Sequence, residues 1–147
     1  MKPVAALTVI VELITPTVLV VAAFLLVSGH DRPGGGFIAG LVLAAVPAIR
    51  HAAGLGIPAP TQGIQLLGAG VSLAALVAAI GLVVGDPMLT QYATTWQLPV
   101  LGQVKASTIV VFDAGVAAVV VGSVTTAIGL LDRDPAADPA PGREDVR

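Results

Sequence analysis

The charged residues of this chain are distributed so unevenly that an ordinary soluble fold is excluded. The 147 residues include seven Lys or Arg and nine Asp or Glu, and half of these lie in residues 132–147. Only 11% of the chain is charged, against about 25% in a typical soluble domain. With 56% hydrophobic residues overall, residues 1–131 cannot present a polar surface to water. We therefore expect lipid to be the solvent of this part of the chain.

Four apolar stretches are long enough, or nearly so, to cross a bilayer as helices of about 20 residues. The predicted spans are residues 4–27, 36–53, 64–84 and 108–131. The first exceeds the apolar core of a cleaved signal peptide, so we interpret it as a retained helix. The sequence predicts an all-α integral membrane protein with four transmembrane helices in residues 1–131. Residues 132–147 are charged and Pro-rich, which predicts a disordered cytoplasmic tail.

The basic residues between the spans predict the orientation in the membrane. Four spans place both termini and the second connection on one side, and the other two connections on the opposite side. The first side holds five Lys or Arg residues: Lys2, Arg50, Arg133, Arg143 and Arg147. The other side holds Arg32 and Lys105. Because Lys and Arg accumulate in cytoplasmic loops, we expect both termini to be cytoplasmic; without the two most distant tail residues the excess is three against two.

Small residues recur at every fourth position in three of the spans, a pattern that lets helix backbones approach closely. The stripes are Gly36, Gly40, Ala44 and Ala48; Gly70, Ala74 and Ala78; and Ala114, Ala118, Gly122 and Thr126. They could pack the spans against one another or against another subunit, and the sequence leaves both alternatives open.

Several kinds of functional site are excluded or disfavoured by what the sequence lacks. There is no cysteine, which excludes disulfides, thiolate metal sites and cysteine nucleophiles. His30 and His51 fall on opposite sides of the predicted topology, so they cannot share a metal ion. A net charge of −2 without a basic stripe disfavours nucleic acid. No catalytic triad or dinucleotide motif occurs, so we expect no enzyme activity, no cofactor and no metal.

Asp113 is the residue that most strongly indicates a function. It is the one charged residue in the fourth predicted span. A carboxylate inside a membrane helix is costly and therefore marks a candidate functional site. It could bind a cation, relay a proton or pair with a basic residue of another subunit; alternatively, it could be a hydrogen-bonded residue that fixes the helix register. About two helical turns separate it from Ser107, which places it near the outer interface.

Glu12 is the second carboxylate within a span and the second candidate for an ion path. Pro16 follows four residues later and removes the helical partner of the Glu12 carbonyl. A carboxylate beside a free carbonyl could suit a cation. The simpler interpretation is a proline kink, with Glu12 reaching back to the cytoplasmic headgroups.

The connection before the second span contains the densest local pattern of the chain. Residues 28–37 read Ser-Gly-His-Asp-Arg-Pro-Gly-Gly-Gly-Phe. The proline disfavours a helical Arg32, and the glycines permit close backbone approach. Backbone considerations alone predict a tight turn between two helices. The segment lacks the Lys-Ser/Thr ending of a phosphate-binding loop, so nucleotide binding is not supported.

Two segments resemble the signatures of one membrane-protein family. Residues 29–37 resemble the GH-x-x-PGGGF signature of the MnhB-like subunits of Mrp-type, or Mnh-type, multisubunit sodium/proton antiporters. Residues 112–116 resemble the FD-x-GV signature of that family's last helix, and residues 98–102 resemble its LP-x-LG lead-in. Positions that match the two main signatures are Gly29, His30, Pro33, Gly34, Gly35, Gly36 and Phe37, then Phe112, Asp113, Gly115 and Val116. Glu12 does not match, because relatives often have a basic residue there.

The resemblance implies a subunit of a hetero-oligomeric complex in a prokaryotic plasma membrane. Such complexes exchange cytoplasmic Na+ for external H+ and support pH and salt homeostasis. The implied partners are the large antiporter-like subunits, the other small membrane subunits and the lipid bilayer. The implied role is that of a secondary transporter subunit, mainly structural, with a share in the ion path as a further hypothesis. Two alternatives stay open: an accessory subunit of a hydrogenase-type or related respiratory complex, and a stand-alone small transporter.

Overall fold

The computed structural model describes residues 5–29, 35–90, 92–98 and 102–132. Its elements are α1 (Ala5–Ser28), α2 (Gly35–Ala52), α3 (Pro60–Val84), β1 (Ala93–Leu98), β2 (Gly102–Ser107) and α4 (Thr108–Leu131). All four helices are long and apolar enough to cross a membrane, which confirms the predicted four-helix membrane fold. The orientation of the termini stays a prediction, and the predicted tail lies outside the described residues after Asp132.

The helices satisfy their backbone hydrogen bonds internally, as a spanning segment in lipid must. The third helix begins at Pro60, four residues before the predicted start at residue 64. Proline fits the first helical turn, because an N–H group at that position would have no partner within the helix. The helix ends at Gly85, whose φ of 95° is the left-handed conformation that glycine adopts readily.

Helix α4 is the centre of the bundle. Helices α2 and α3 pack along it, whereas α1 packs on α2 and touches α4 only slightly. The order in space is therefore α1, α2, α4, α3. Because both α2 and α3 are held by α4, there is at most marginal contact between α2 and α3 within the described ranges.

Glycines permit this packing on both sides of α4. On the α2 side, a Cβ at Gly40 would lie 2.9 Å from the Cα of Ala117. On the α3 side, a Cβ at Gly122 would lie 2.6 Å from the backbone nitrogen of Leu67 and 2.7 Å from the carbonyl oxygen of Gly63. The small residues of the three stripes therefore pack these helices against one another. This is the first of the two alternatives that the sequence left open.

The interior consists of small side chains. The buried hydrophobic residues of the described chain are Val11, Ala22, Ala39, Ala44, Ala53 and Ala117. Most large apolar side chains point outwards instead; Leu131, for example, is 86% exposed. This distribution fits a protein whose surroundings are lipid rather than water.

A two-stranded antiparallel sheet interrupts the connection between α3 and α4, where the four-span prediction has only a connecting loop. Strands β1 and β2 pair from Ala93 opposite Ser107 to Leu98 opposite Gly102. The base of this hairpin is tied to the first residue of α4, because the Thr108 N–H donates to the Tyr92 carbonyl at 3.0 Å and the Tyr92 N–H donates to the Thr108 hydroxyl at 3.1 Å. The hairpin therefore stands directly on the end of α4.

Candidate functional site

Asp113 lies near one end of the bundle rather than at its middle. It is the sixth residue of α4, about 7.5 Å along the helix axis from Thr108. Its side chain is half-buried. The beginning of α2 lies beside it, so the carboxylate is at the same level as the start of that helix.

The first two residues of α2 contact Asp113 directly. A Cβ at Gly35 would lie 3.0 Å from Oδ2 of Asp113, and a Cβ at Gly36 would lie 2.7 Å from the Cα of Asp113. Gly35 is also pressed against the backbone of Gly29 at the end of α1. Glycine is therefore required at these places by close backbone approach, and the two sequence signatures meet in space.

The spacing of Asp113 and Gly115 directs two contacts to different helices. Residues two apart on a helix point in directions about 200° apart. Accordingly, Asp113 contacts the start of α2, whereas a Cβ at Gly115 would lie 2.9 Å from the carbonyl oxygen of Gly70 in α3. The last-helix signature thus places a carboxylate on one side of α4 and a close packing contact on the other.

Asp113 also lines a cavity of about 260 Å³ between the end of α3, the following loop and the start of α4. Its polar lining consists of Asp113, Thr90 and Thr108, and the remaining lining residues are Val77, Leu89, Ile109 and Phe112. The volume is enough for several water molecules at about 30 Å³ each. The residue that carries the carboxylate therefore borders a small space that water can enter, in an otherwise apolar setting.

The two threonine hydroxyls each have one hydrogen bond and capacity for more. The Thr90 hydroxyl donates to the Pro87 carbonyl at 2.7 Å, so its oxygen can still accept. The Thr108 hydroxyl accepts the Tyr92 N–H, so its own proton can still be donated. Together with the carboxylate they can solvate a proton carrier or a weakly held cation. Within the described ranges, no group of three His, Asp or Glu side chains forms a metal site.

Glu12 is not part of this site. It is exposed on α1, 17 residues before Gly29, which is about 25 Å along a helix. Next to it, the Thr15 hydroxyl donates to the Val11 carbonyl at 2.7 Å in the turn that precedes Pro16. The structure therefore leaves the two candidate carboxylates at different levels of the bundle.

The other signature residues have separate positions. Phe112 lines the cavity, Val116 is half-buried, and Phe37 points outwards with 53% of its surface exposed. His30, Pro33 and Gly34 lie outside the described residues. Sequence reasoning missed Thr90 and Thr108 as lining residues, because only the fold of the connection brings them to Asp113.

Outside the spans, the same end of the protein carries a second polar pair. The Tyr92 hydroxyl donates to Oδ2 of Asp86 at 2.7 Å. This hydrogen bond, with smaller contributions from desolvation and from the negative charge of Asp86, raises the pKa of Tyr92 above its ordinary value of 10.0. Both side chains lie at the surface, so the pair fastens the hairpin base to the loop after α3.

Comparisons with known proteins agree on one family. Residues 6–126 match the family model described as a domain related to the MnhB subunit of Na+/H+ antiporter. The chain is 33% identical over 130 residues to a Na(+)/H(+) antiporter subunit of Alkalihalophilus pseudofirmus, covering 84% of this chain and 88% of the relative. It is 34% identical over 123 residues to the putative antiporter subunit mnhB2 of Staphylococcus aureus, covering 80% and 86%.

A solved structure is also similar. A chain in the structure of the Mrp complex from Dietzia sp. DQ12-45-1b superposes with a TM-score of 0.70 at 28% sequence identity. The similarity covers 90% of this chain but only 14% of that chain. The fold described above is therefore one part of a much longer polypeptide in that complex.

Proposed function

The chain belongs to the family of domains related to the MnhB subunit of Na+/H+ antiporters, and we propose that its Asp113 site contributes to the ion route of the antiporter complex. The chain is a multi-pass protein of the prokaryotic cell membrane and a subunit of a multisubunit Mrp/Mnh antiporter. It partners the other subunits of that complex. Its relatives identify it as a transporter component, and we extend this to the proposal that it catalyses no chemical reaction.

The main role in this proposal is structural. The central helix α4 holds α2 and α3 through glycine contacts, and the Asp113 backbone is one of those contacts. The carboxylate also lies beside the first residue of α2, where the positive end of the helix dipole attracts a negative side chain. Asp113 therefore supports the α2–α4 contact whether or not an ion passes it.

The ionic part of the proposal rests on one observation: Asp113 lines a cavity of about 260 Å³ near the end of the bundle. With both termini cytoplasmic, this end faces the exterior, from which protons enter during Na+/H+ exchange. The same carboxylate oxygens can take up one proton or neutralise one cation, but not both fully. That competition is the elementary requirement for exchanging the two ions at a shared group.

The antiporter interpretation is favoured over the two alternatives from the sequence. The relatives that match this chain over most of their own length are named as antiporter subunits, and the similar solved chain belongs to an Mrp complex. A respiratory complex or a stand-alone transporter gains no comparable support. Glu12 has no place in the proposed route, because it lies far from the cavity along α1.

The test compares Asp113→Asn with Asp113→Glu, and uses Asp86→Asn as the matched control in the extramembrane loop. Antiport is measured in inverted vesicles as Na+-dependent release of a proton gradient, and assembly is measured on native gels. We expect Asp113→Asn to assemble but to lose roughly 90% or more of the antiport, because a neutral amide can neither accept the proton nor neutralise a cation. Asp113→Glu retains part of the activity, and the control retains all of it.

Two results would contradict the ionic role. Normal antiport in Asp113→Asn would remove Asp113 from the ion route. Failure of both Asp113 variants to assemble, with normal assembly of the control, would assign the residue to subunit packing alone.

A further inference from the structure

A second and larger cavity opens at the opposite end of the bundle. Its volume is about 390 Å³, and it lies between α2 and α3 with α4 as its floor. The apolar lining includes Val46, Leu66 and Val121, and the longer polar side chains are Arg50 and Gln62. We call this cavity the inner groove. It exists because α2 and α3 both pack on α4 instead of on each other.

The inner groove is separate from the Asp113 site. Arg50 lies in the last turn of α2, whereas Asp113 contacts the first two residues of that helix. The 14 residues from Gly36 to Arg50 correspond to about 21 Å along the axis. A ligand of the groove would therefore bind at the other membrane surface.

Arg50 brings a positive charge that the chain does not neutralise within its described residues. Its Nε and Nη2 both donate to the carbonyl of Gly56, each at a long 3.4 Å. No described carboxylate forms an ion pair with it. The Gly56 contact holds the guanidinium at the mouth of the groove, while its remaining N–H donors can bind an anion.

A basic residue at the headgroup level beside an apolar groove fits one class of ligand. We propose that the inner groove binds an acidic phospholipid, with its phosphate on Arg50 and part of an acyl chain between α2 and α3. Guanidinium matches phosphate in both charge and hydrogen-bond geometry. Basic pockets between transmembrane helices are typical binding places for acidic lipid headgroups.

The charge at the groove favours a lipid over an apolar helix from another subunit. An apolar transmembrane helix has no group that neutralises the Arg50 guanidinium, whereas an acidic phospholipid has a phosphate for Arg50. Its acyl chains are as apolar as the lining side chains of the groove.

The experiment measures the lipids that stay with the complex. The complete antiporter complex is purified in mild detergent through a tag on this chain, and the acidic and zwitterionic phospholipids per complex are quantified by mass spectrometry. The variants are Arg50→Gln, Arg50→Lys as the charge-retaining partner, and Leu66→Trp to fill the groove. His51→Gln is the matched control, because His51 is the next residue along α2, is exposed and does not line the groove.

We expect Arg50→Gln to weaken binding of the acidic lipid in the groove about fivefold, the factor that one basic residue contributes at a membrane surface, so that the variant complex retains up to about one acidic lipid fewer than the wild type. Arg50→Lys keeps most of the acidic lipid. Leu66→Trp lowers retention of both lipid classes, because the acyl chain loses its place. His51→Gln leaves retention unchanged. If Arg50→Gln does not assemble, the comparison between Arg50→Lys, Leu66→Trp and His51→Gln still decides the proposal.

Several results would overturn the proposal. One is unchanged acidic lipid in both Arg50→Gln and Leu66→Trp, and another is an equal loss in His51→Gln. A second measurement distinguishes a lipid from a free anion bound at Arg50. Phosphatidylglycerol should raise the heat stability of the complex, whereas inorganic phosphate should not. Equal stabilisation by inorganic phosphate would refute a lipid. A photo-crosslinking amino acid at position 62 should label lipid, and labelling of another subunit instead would show that protein fills the groove.

Discussion

The close approach of α3 to α4 can be tested by two substitutions in the same helix. A Cβ at Gly70 would lie 2.6 Å from the carbonyl oxygen of Gly115 and 2.8 Å from the backbone nitrogen of Val119. Both atoms belong to the backbone of the central helix, so no side-chain rotation relieves the clash. At Gly68, two residues earlier, a Cβ meets nothing within 4 Å. Gly70→Ala and Gly68→Ala therefore add the same methyl group, and only the first one clashes.

The difference between these variants isolates the packing cost. Replacing glycine by alanine inside a helix gains about 0.8–1.0 kcal/mol in either position, and this gain cancels in the comparison. Ordinary contact begins at 3.4 Å, so α3 must retreat from Gly115 locally by at least about 0.8 Å. Overpacking of this kind costs about 1–3 kcal/mol. A retreat of this size also weakens the dispersion contacts of neighbouring side chains. We expect Gly70→Ala to be about 2 kcal/mol less stable than Gly68→Ala.

The measurement is the resistance of the purified complex to SDS. The complex is titrated with SDS in mild detergent, and the fraction that keeps this subunit is followed on native gels. Gly68→Ala should match or exceed the wild type, and Gly70→Ala should dissociate at lower SDS. Equal midpoints for the two variants would refute the close backbone contact between α3 and α4, because that contact is the feature that distinguishes the two positions.

Two further predictions concern the loop between α3 and α4 and the orientation of the protein in the membrane. The raised pKa of Tyr92 means that the folded loop favours the protonated phenol, so its hydrogen bond to Asp86 stabilises the loop below about pH 10 and is lost as the pH rises through the raised value. The phenolate absorbance of the complex, with Tyr92→Phe as the blank, should titrate above pH 10, and Asp86→Asn should return it towards 10.0; no difference would contradict the Tyr92–Asp86 bond. Because the chain has no cysteine, single-cysteine variants report the topology directly. An impermeant maleimide should label Asp86→Cys in intact cells and Gly56→Cys only in inverted vesicles, and the reverse pattern would overturn the predicted orientation.

The four helices could be predicted from the sequence because each one is encoded within its own segment. An apolar stretch of sufficient length must form a helix in lipid, whatever its neighbours do. The start of α3 differs from the predicted one because Pro60, a helix breaker in most positions, is compatible with a first helical turn. The hairpin between α3 and α4 escapes prediction for a different reason. Its short strands are not among the long apolar segments, and their pairing with each other is not encoded in either segment alone.

The candidate site could be predicted only in part. Asp113 can be identified from the sequence because a charged residue within an apolar span is rare and costly. Its contacts with Gly35 and Gly36 could not be found in this way, since they depend on how α2 crosses α4. The inner groove depends on the same packing, because it lies where α2 and α3 do not contact each other closely.

The position of Asp113 couples the proposed ionic role to the structural one. The residue contacts the start of α2, and Gly115, two residues further on, contacts α3 on another side of the same helix. Neither contact has spare room, so a displacement of α4 at this level must move both neighbours or break one contact. A proton or cation at the carboxylate changes the charge at the α2 contact, and the rigid backbone of α4 carries any resulting shift to α3. For this reason, substitutions at Gly35, Gly36 and Gly70 should affect antiport as well as assembly, even though none of these residues has a group that can hold an ion.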